Sequence, residues 1–232
     1  MAGIIALVGG DEFQADCEGM DRALMAETES VHPSLLVIPT AAARENPMKA
    51  AHNGVRYFSS LGVDASELIV LDSDQANDET FVSPVDIVDA IYLTGGDPEY
   101  LLEVLTGSVL LRKIKKALNR GAVLIGSSAG AMVLGSWMRS KDWMEALGLE
   151  GGVVVLPHHE DSNPDTVLNN LEESVSSGVA ILGIDSKTCC FRDSVNWKIL
   201  GAGEVTVYQA GRWRRYCSGE VLRLDNTGTS CR

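Results

Sequence analysis

Short apolar runs alternate with longer amphipathic stretches along most of this chain. The runs Ile4–Val8, Leu35–Ile38, Leu68–Leu71, Ala90–Leu93, Val123–Ile125 and Gly152–Leu156 are rich in Val, Ile and Leu. Continuous apolar runs of this length suit parallel strands covered on both faces. Between them the apolar spacing moves toward the helical period. It predicts helices over Gln14–Thr28, Ala42–Leu61, Pro98–Leu105, Leu110–Arg120 and Asp165–Val175. Leu110, Ile114 and Leu118, for instance, would share one face. The alternation predicts a three-layer α/β/α fold with a mostly parallel central sheet, whose ligands bind at the carboxyl ends of the strands. From Val179 the pattern changes. Ala180–Ile184, Thr188–Phe191, Trp197–Leu200 and Val205–Tyr208 are short runs divided by Asp, Ser, Asn and Gly, which predicts a strand-rich C-terminal segment with antiparallel hairpins. No long linker, low-complexity block or internal repeat interrupts the 232 residues, so residues 1–232 are read as one α/β domain. Its polar tail, residues 226–232, is expected to fray.

Composition adds little to this picture, but charge narrows the partners. A net charge of −13 gives a surface that repels phosphate backbones, which argues against a nucleic-acid partner. No run approaches the roughly 18 apolar residues of a membrane span, and the apolar start lacks the basic residues of a signal peptide. A cytoplasmic location is therefore expected, and a homodimer is left open. The five cysteines are odd in number and lack CxxC spacing, so reduced thiols are expected rather than a disulfide framework or a zinc site.

Three loops carry residue types that could do chemistry. In Gly126-Ser127-Ser128-Ala129-Gly130, Ser128 sits between a strand and a stretch able to start a helix. A serine at such a turn is held in a tight backbone conformation, needs small neighbours, and lies beside helix N-terminal amides that can stabilise an oxyanion. A turn of small residues without chemistry would look the same on these five residues alone. A serine nucleophile needs a base, usually histidine. The chain has four: His32, His52, His158 and His159. Only the last two directly follow a strand, at the sheet edge where the serine turn also emerges. The third loop is Thr94-Gly95-Gly96-Asp97-Pro98. Asp97 reads as a helix N-cap and Pro98 as the first helical residue, while the glycine pair would let the Gly96 N–H join that of Ala129 in an oxyanion hole. A carboxylate should orient the histidine; Asp142 is the first choice and Glu145 the alternative. One further string, Gly9-Gly10-Asp11-Glu12-Phe13, spells the signature of diguanylate cyclases. It stands after the first strand and before a helix, so it is read as a strand end followed by acids that suit a helix N-terminus.

These residues together resemble peptidase family S51, the serine peptidases that include aspartyl dipeptidase and cyanophycinase. The likeness runs from about Gly3 to Gly211. Its landmarks are the opening Gly9-Gly10, Ile38-Pro39-Thr40-Ala41-Ala42, Ile91 to Asp97, Gly126 to Ala131, Pro157-His158, Gly183-Ile184-Asp185 and Gly201-Ala202-Gly203. The resemblance implies a class I glutamine amidotransferase-like (flavodoxin-like) fold with serine at the nucleophile turn. It selects His158 over His159, implies a small peptide or peptide-polymer substrate, and calls for no metal or organic cofactor. Family members often carry arginines after the histidine that bind acidic substrate side chains. Here that stretch reads Glu160-Asp161-Ser162-Asn163-Pro164-Asp165, which points to a cationic group on the substrate. Asp97, His159 and Glu160 are the candidate substrate contacts. The expected activity is peptide or isopeptide hydrolysis through Ser128, His158 and Asp142 or Glu145. The competing readings are a GxSxG esterase or amidase, in which acid and histidine normally lie farther downstream, and a catalytically silent binding module on the same scaffold.

Overall fold

The structure, a computed structural model, describes residues 3–171, 179–193 and 196–224. Its centre is a seven-stranded sheet. In chain order the parallel strands are β1 (Ile5–Val8), β2 (Ser34–Ile38), β3 (Asp64–Glu67), β4 (Ala90–Leu93) and β5 (Val123–Ser127). The helices between them are α1 (Glu18–Ala26), α2 (Pro47–Ser60), the short α3 (Ser73–Asn77), α4 (Pro98–Leu105) and α5 (Val109–Arg120). After β5 come α6 (Ala129–Leu134) and a small hairpin, β6 (Trp137–Arg139) and β7 (Trp143–Glu145). Then follow β8 (Val153–Leu156), α7 (Pro164–Leu171), β9 (Ala180–Ile184), β10 (Thr188–Asp193), β11 (Asn196–Gly201), β12 (Glu204–Gln209) and β13 (Arg212–Cys217).

The central sheet runs β11-β10-β1-β5-β4-β2-β3, and a second sheet runs β13-β12-β9-β8. This is the expected mostly parallel α/β architecture. Each central strand alternates its side chains between two apolar layers. Leu7, Ile91, Leu93 and Leu124 join α4, α5 and the second sheet on one face, while Ala6, Val8, Tyr92 and Ile125 join α1 and α2 on the other. Both faces are covered, which is why these strands read as unbroken apolar runs.

The strand-rich C-terminal segment is present, and its strands are shared between the sheets. β10 enters antiparallel beside β1, pairing Val8 with Cys189 and Ala6 with Phe191. β9 runs parallel to β8 and antiparallel to β12 in the second sheet.

Several boundaries differ from expectation. The third strand is Asp64–Glu67, not Leu68–Leu71. It is an edge strand with alternating exposure, so it lacks the apolar run of a covered strand; Leu68 and Val70 are buried in the extended chain beyond it. The helix expected over Ala42–Leu61 starts only at Pro47. Asn46 caps it by accepting the Lys49 N–H at 3.2 Å, with Pro47 as its first residue. The stretch Gln14–Thr28 begins as a 3₁₀ turn, Ala15–Cys17, before α1. Of Asp165–Val175, the described part is helical through Leu171. The polar tail lies outside the described residues.

Candidate active site

β5 delivers Ser128 to the carboxyl edge of the central sheet, as the sequence pattern requires. The serine has φ 48° and ψ −109°, a strained conformation that costs on the order of 1–3 kcal/mol and persists only when its surroundings enforce it. They do. The Ser128 N–H donates to Val8 O at 2.9 Å and its carbonyl accepts the Met132 N–H at 3.0 Å, which opens α6. The flanking glycines are needed because α6 lies against the sheet. A Cβ on Gly126 would sit 2.5 Å from the Gly130 carbonyl carbon, and one on Gly130 would sit 2.4 Å from Leu93 O.

His158 comes from the end of β8 and faces Ser128, with Nε2 3.1 Å from Ser128 Oγ. Its backbone is also left-handed (φ 52°) and is pinned by a 2.9 Å bond from its N–H to Gly9 O. The imidazole lies flat against Gly10, where a Cβ would fall 2.1 Å from Cε1 and 2.5 Å from Nε2. The opening glycine pair thus makes room for the histidine. On the other side, Nδ1 is 3.0 Å from Ser186 Oγ. Ser186 donates twice to Glu160, from Oγ to Oε1 at 2.8 Å and from N–H to Oε2 at 2.8 Å. Partial burial alone would raise the Glu160 pKa, but the bonds from Ser186 and its own backbone, with His158 nearby, hold the carboxylate below its ordinary value.

The glycine loop after β4 completes the arrangement. A Cβ on Gly95 would be 3.4 Å from Ser128 Cβ. The Gly95 N–H is taken by Glu12, whose Oε1 accepts it at 3.1 Å while Oε2 accepts Ser127 Oγ–H at 2.7 Å. Glu12 therefore ties the glycine loop to the residue before the nucleophile. Gly96, at φ 139°, packs so closely on Ala41 O that only glycine fits, at 2.3 Å from an added Cβ. Neither the Gly96 nor the Ala129 N–H bonds another described residue.

The structure separates the other candidates by role. Asp142 and Glu145 lie exposed on the β6–β7 hairpin, and neither side chain makes a hydrogen bond or ion pair with His158. The expected orienting acid is thus not brought to the histidine, because the stretch after α6 folds into a local hairpin and Nδ1 is already engaged by Ser186. His159 points the opposite way, buried against Gly183, with Nε2 2.6 Å from Tyr208 Oη. Burial, with Arg215 nearby, lowers its pKa and favours a neutral, structural ring. Asp97 caps α4 by accepting the Tyr100 N–H at 3.0 Å and meets Arg44 at 3.4 Å. Glu160, expected to face substrate, is exposed, and both its carboxylate oxygens accept from Ser186.

Three participants escaped the sequence reading. Gly10 and Glu12 were visible only as a strand end and a helix start. Ser186 carried no signal beyond standing next to the Gly183-Ile184-Asp185 landmark. Among the described residues no group of His, Cys, Asp and Glu side chains is arranged to hold a metal ion, and Cys17, Cys189, Cys190 and Cys217 are free thiols.

The model of peptidase family S51 matches residues 4–194. The chain belongs to that family, and it is a serine peptidase. It is 26% identical over 220 residues to a cyanophycinase of Nostoc sp., covering 88% of this chain and 72% of that protein. It is 29% identical over 211 residues to the cyanophycinase of Geminocystis herdmanii, covering 83% and 75%. A crystal structure of a peptidase from an acI-B1 Actinobacterium superposes with a TM-score of 0.85 at 28% identity, over 97% of this chain and 98% of that one. A putative peptidase E from Listeria monocytogenes shares the fold, with a TM-score of 0.64 at 17% identity over 88% and 100%. This S51 chain contains no helix long and apolar enough to cross a membrane among its described residues.

Proposed function

We propose that Ser128 is the nucleophile and His158 the general base of a peptidase that cleaves peptide or isopeptide bonds through an acyl-enzyme. The observation that carries the reading is the 3.1 Å approach of His158 Nε2 to the Oγ of a serine held at φ 48°. As Ser128 Oγ attacks the substrate carbonyl, its proton passes to Nε2. The imidazolium then delivers that proton to the leaving amine, and a water attacks the acyl-enzyme by the reverse route. The unengaged N–H groups of Gly96 and Ala129 are the donors for the tetrahedral oxyanion; one such donor is typically worth about 3–4 kcal/mol of the barrier. This chemistry uses side chains and backbone amides alone.

The relatives' name makes cyanophycin the first polymer to assay, and short peptides with N-terminal aspartate the contrasting set. The test of the mechanism begins with a probe that needs no substrate. A fluorophosphonate should label wild-type protein at Ser128, mapped by peptide mass, while Ser128→Ala should be neither labelled nor active and should melt like wild type. Turnover by a folded Ser128→Ala protein refutes the assignment.

A further inference from the structure

We infer that Glu160 orients the catalytic histidine through Ser186, so that a serine hydroxyl stands between carboxylate and imidazole. The inference rests on the assignment of Ser128 and His158 above and adds two positioning residues to it.

Counting donors and acceptors sets the direction of the chain. Glu160 is held as a carboxylate and can only accept. It takes the Ser186 N–H at Oε2, and Oε1 lies 2.8 Å from Ser186 Oγ. The single hydroxyl proton of Ser186 must therefore point to Glu160. What Ser186 presents to His158 Nδ1, 3.0 Å away, is a lone pair. Nδ1 must then carry the imidazole proton, which leaves the lone pair of the neutral ring on Nε2, facing Ser128 Oγ at 3.1 Å. The tautomer needed in a general base is thus imposed from two residues away. During attack the Ser128 Oγ–H bond breaks, its proton moves to Nε2, and the oxygen's electron pair bonds the carbonyl carbon. The Nδ1 and Ser186 protons stay where they are, polarised toward Glu160, which remains ionised. The backbone bond from Ser186 N–H fixes the carboxylate in the plane where it can do this.

The chain predicts a unit, not a sum. Ser186→Ala removes the link and Glu160→Gln removes the charge that orders it. Each should slow fluorophosphonate labelling of Ser128 by about 10²–10⁴-fold, within the usual share of general-base catalysis. The double variant should be within a few-fold of the worse single one, because groups acting as one chain are not additive. Ser186→Thr keeps the hydroxyl and should recover most of the rate. Asp142→Asn should label at the wild-type rate. Thermal melts verify that each variant is folded. Nitrogen-15 spectra of the imidazoles give a readout that a merely structural role would not move. The His158 ring should be the Nδ1–H tautomer in wild type and lose that bias in Ser186→Ala. Wild-type labelling rates in folded Ser186→Ala and Glu160→Gln proteins, multiplicative losses in the double variant, an Nε2–H ring in wild type, or a loss confined to Asp142→Asn would each overturn the relay while leaving Ser128 as nucleophile. Failure of Ser128 to label in wild type would instead fell its assignment as nucleophile.

Discussion

Replacing Gly10 by alanine should disable the site from behind, without replacing a group that reacts. Gly10 sits at φ 126°, and an added Cβ would fall 2.1, 2.5 and 2.8 Å from three atoms of the His158 ring. Carbon atoms pack at about 3.5–4.0 Å, so the ring must retreat by more than about 1 Å, or the loop must open. The Ser128–His158 contact is 3.1 Å, and a retreat of that size carries it beyond hydrogen-bond range. Displacement of a catalytic group by about 1 Å costs about 10²-fold, and loss of general-base catalysis altogether up to about 10⁴-fold. That corresponds to about 3–5 kcal/mol of barrier. The left-handed backbone adds a smaller cost in stability, on the order of 1–3 kcal/mol for a side chain at this φ. The assay is the rate of fluorophosphonate labelling together with a thermal melt. A folded Gly10→Ala protein that labels within about threefold of wild type would refute the close stacking and the reason given for the glycine.

Two further outcomes follow from groups beside the site. Glu12→Ala should release the Gly95 loop from Ser127 and lower kcat/KM by roughly 10–100-fold while sparing the nucleophile's identity, in keeping with lost preorganisation of the oxyanion donors; an unchanged kcat/KM would show that the loop holds itself. Asp21 is buried, with Tyr57 Oη donating to it at 2.8 Å, and burial pushes its pKa up to about 7. The folded state therefore keeps a proton that the unfolded chain gives up near its ordinary value of 3.8, so this group's contribution to stability falls as pH rises from about 4 to 7. Asp21→Asn, which mimics the protonated form, should raise Tm more at pH 8 than at pH 4.5, and an equal shift at both would contradict the burial argument.

The fold was legible where physics acts locally on the sequence. Covered parallel strands must be apolar throughout, so β1, β2, β4, β5 and β8 announced themselves. Edge strand β3 faces solvent on alternate residues and did not. The nucleophile turn was legible because its constraints are steric and sit within five residues: Gly126 and Gly130 are small because α6 lies against the sheet. The partner of the His158 Nδ1 was not legible, because order along the chain is no guide to proximity at a sheet edge. Asp142 stands between serine and histidine in the chain and turns away on a hairpin, while Ser186, which follows β9, lies against the imidazole. Glu12 was hidden for a similar reason. Its acidity suited a helix start, and only the fold brings it to Gly95, 83 residues away.

The end of β1 sets alignment as well as shape. Three consecutive carbonyls there, on Val8, Gly9 and Gly10, receive the N–H groups of Ser128, His158 and Lys187. β1 is thus the common reference on which three segments distant in sequence are registered, the last of them carried in by the antiparallel entry of β10 beside it. Any change that moves the end of β1 therefore moves all three segments at once.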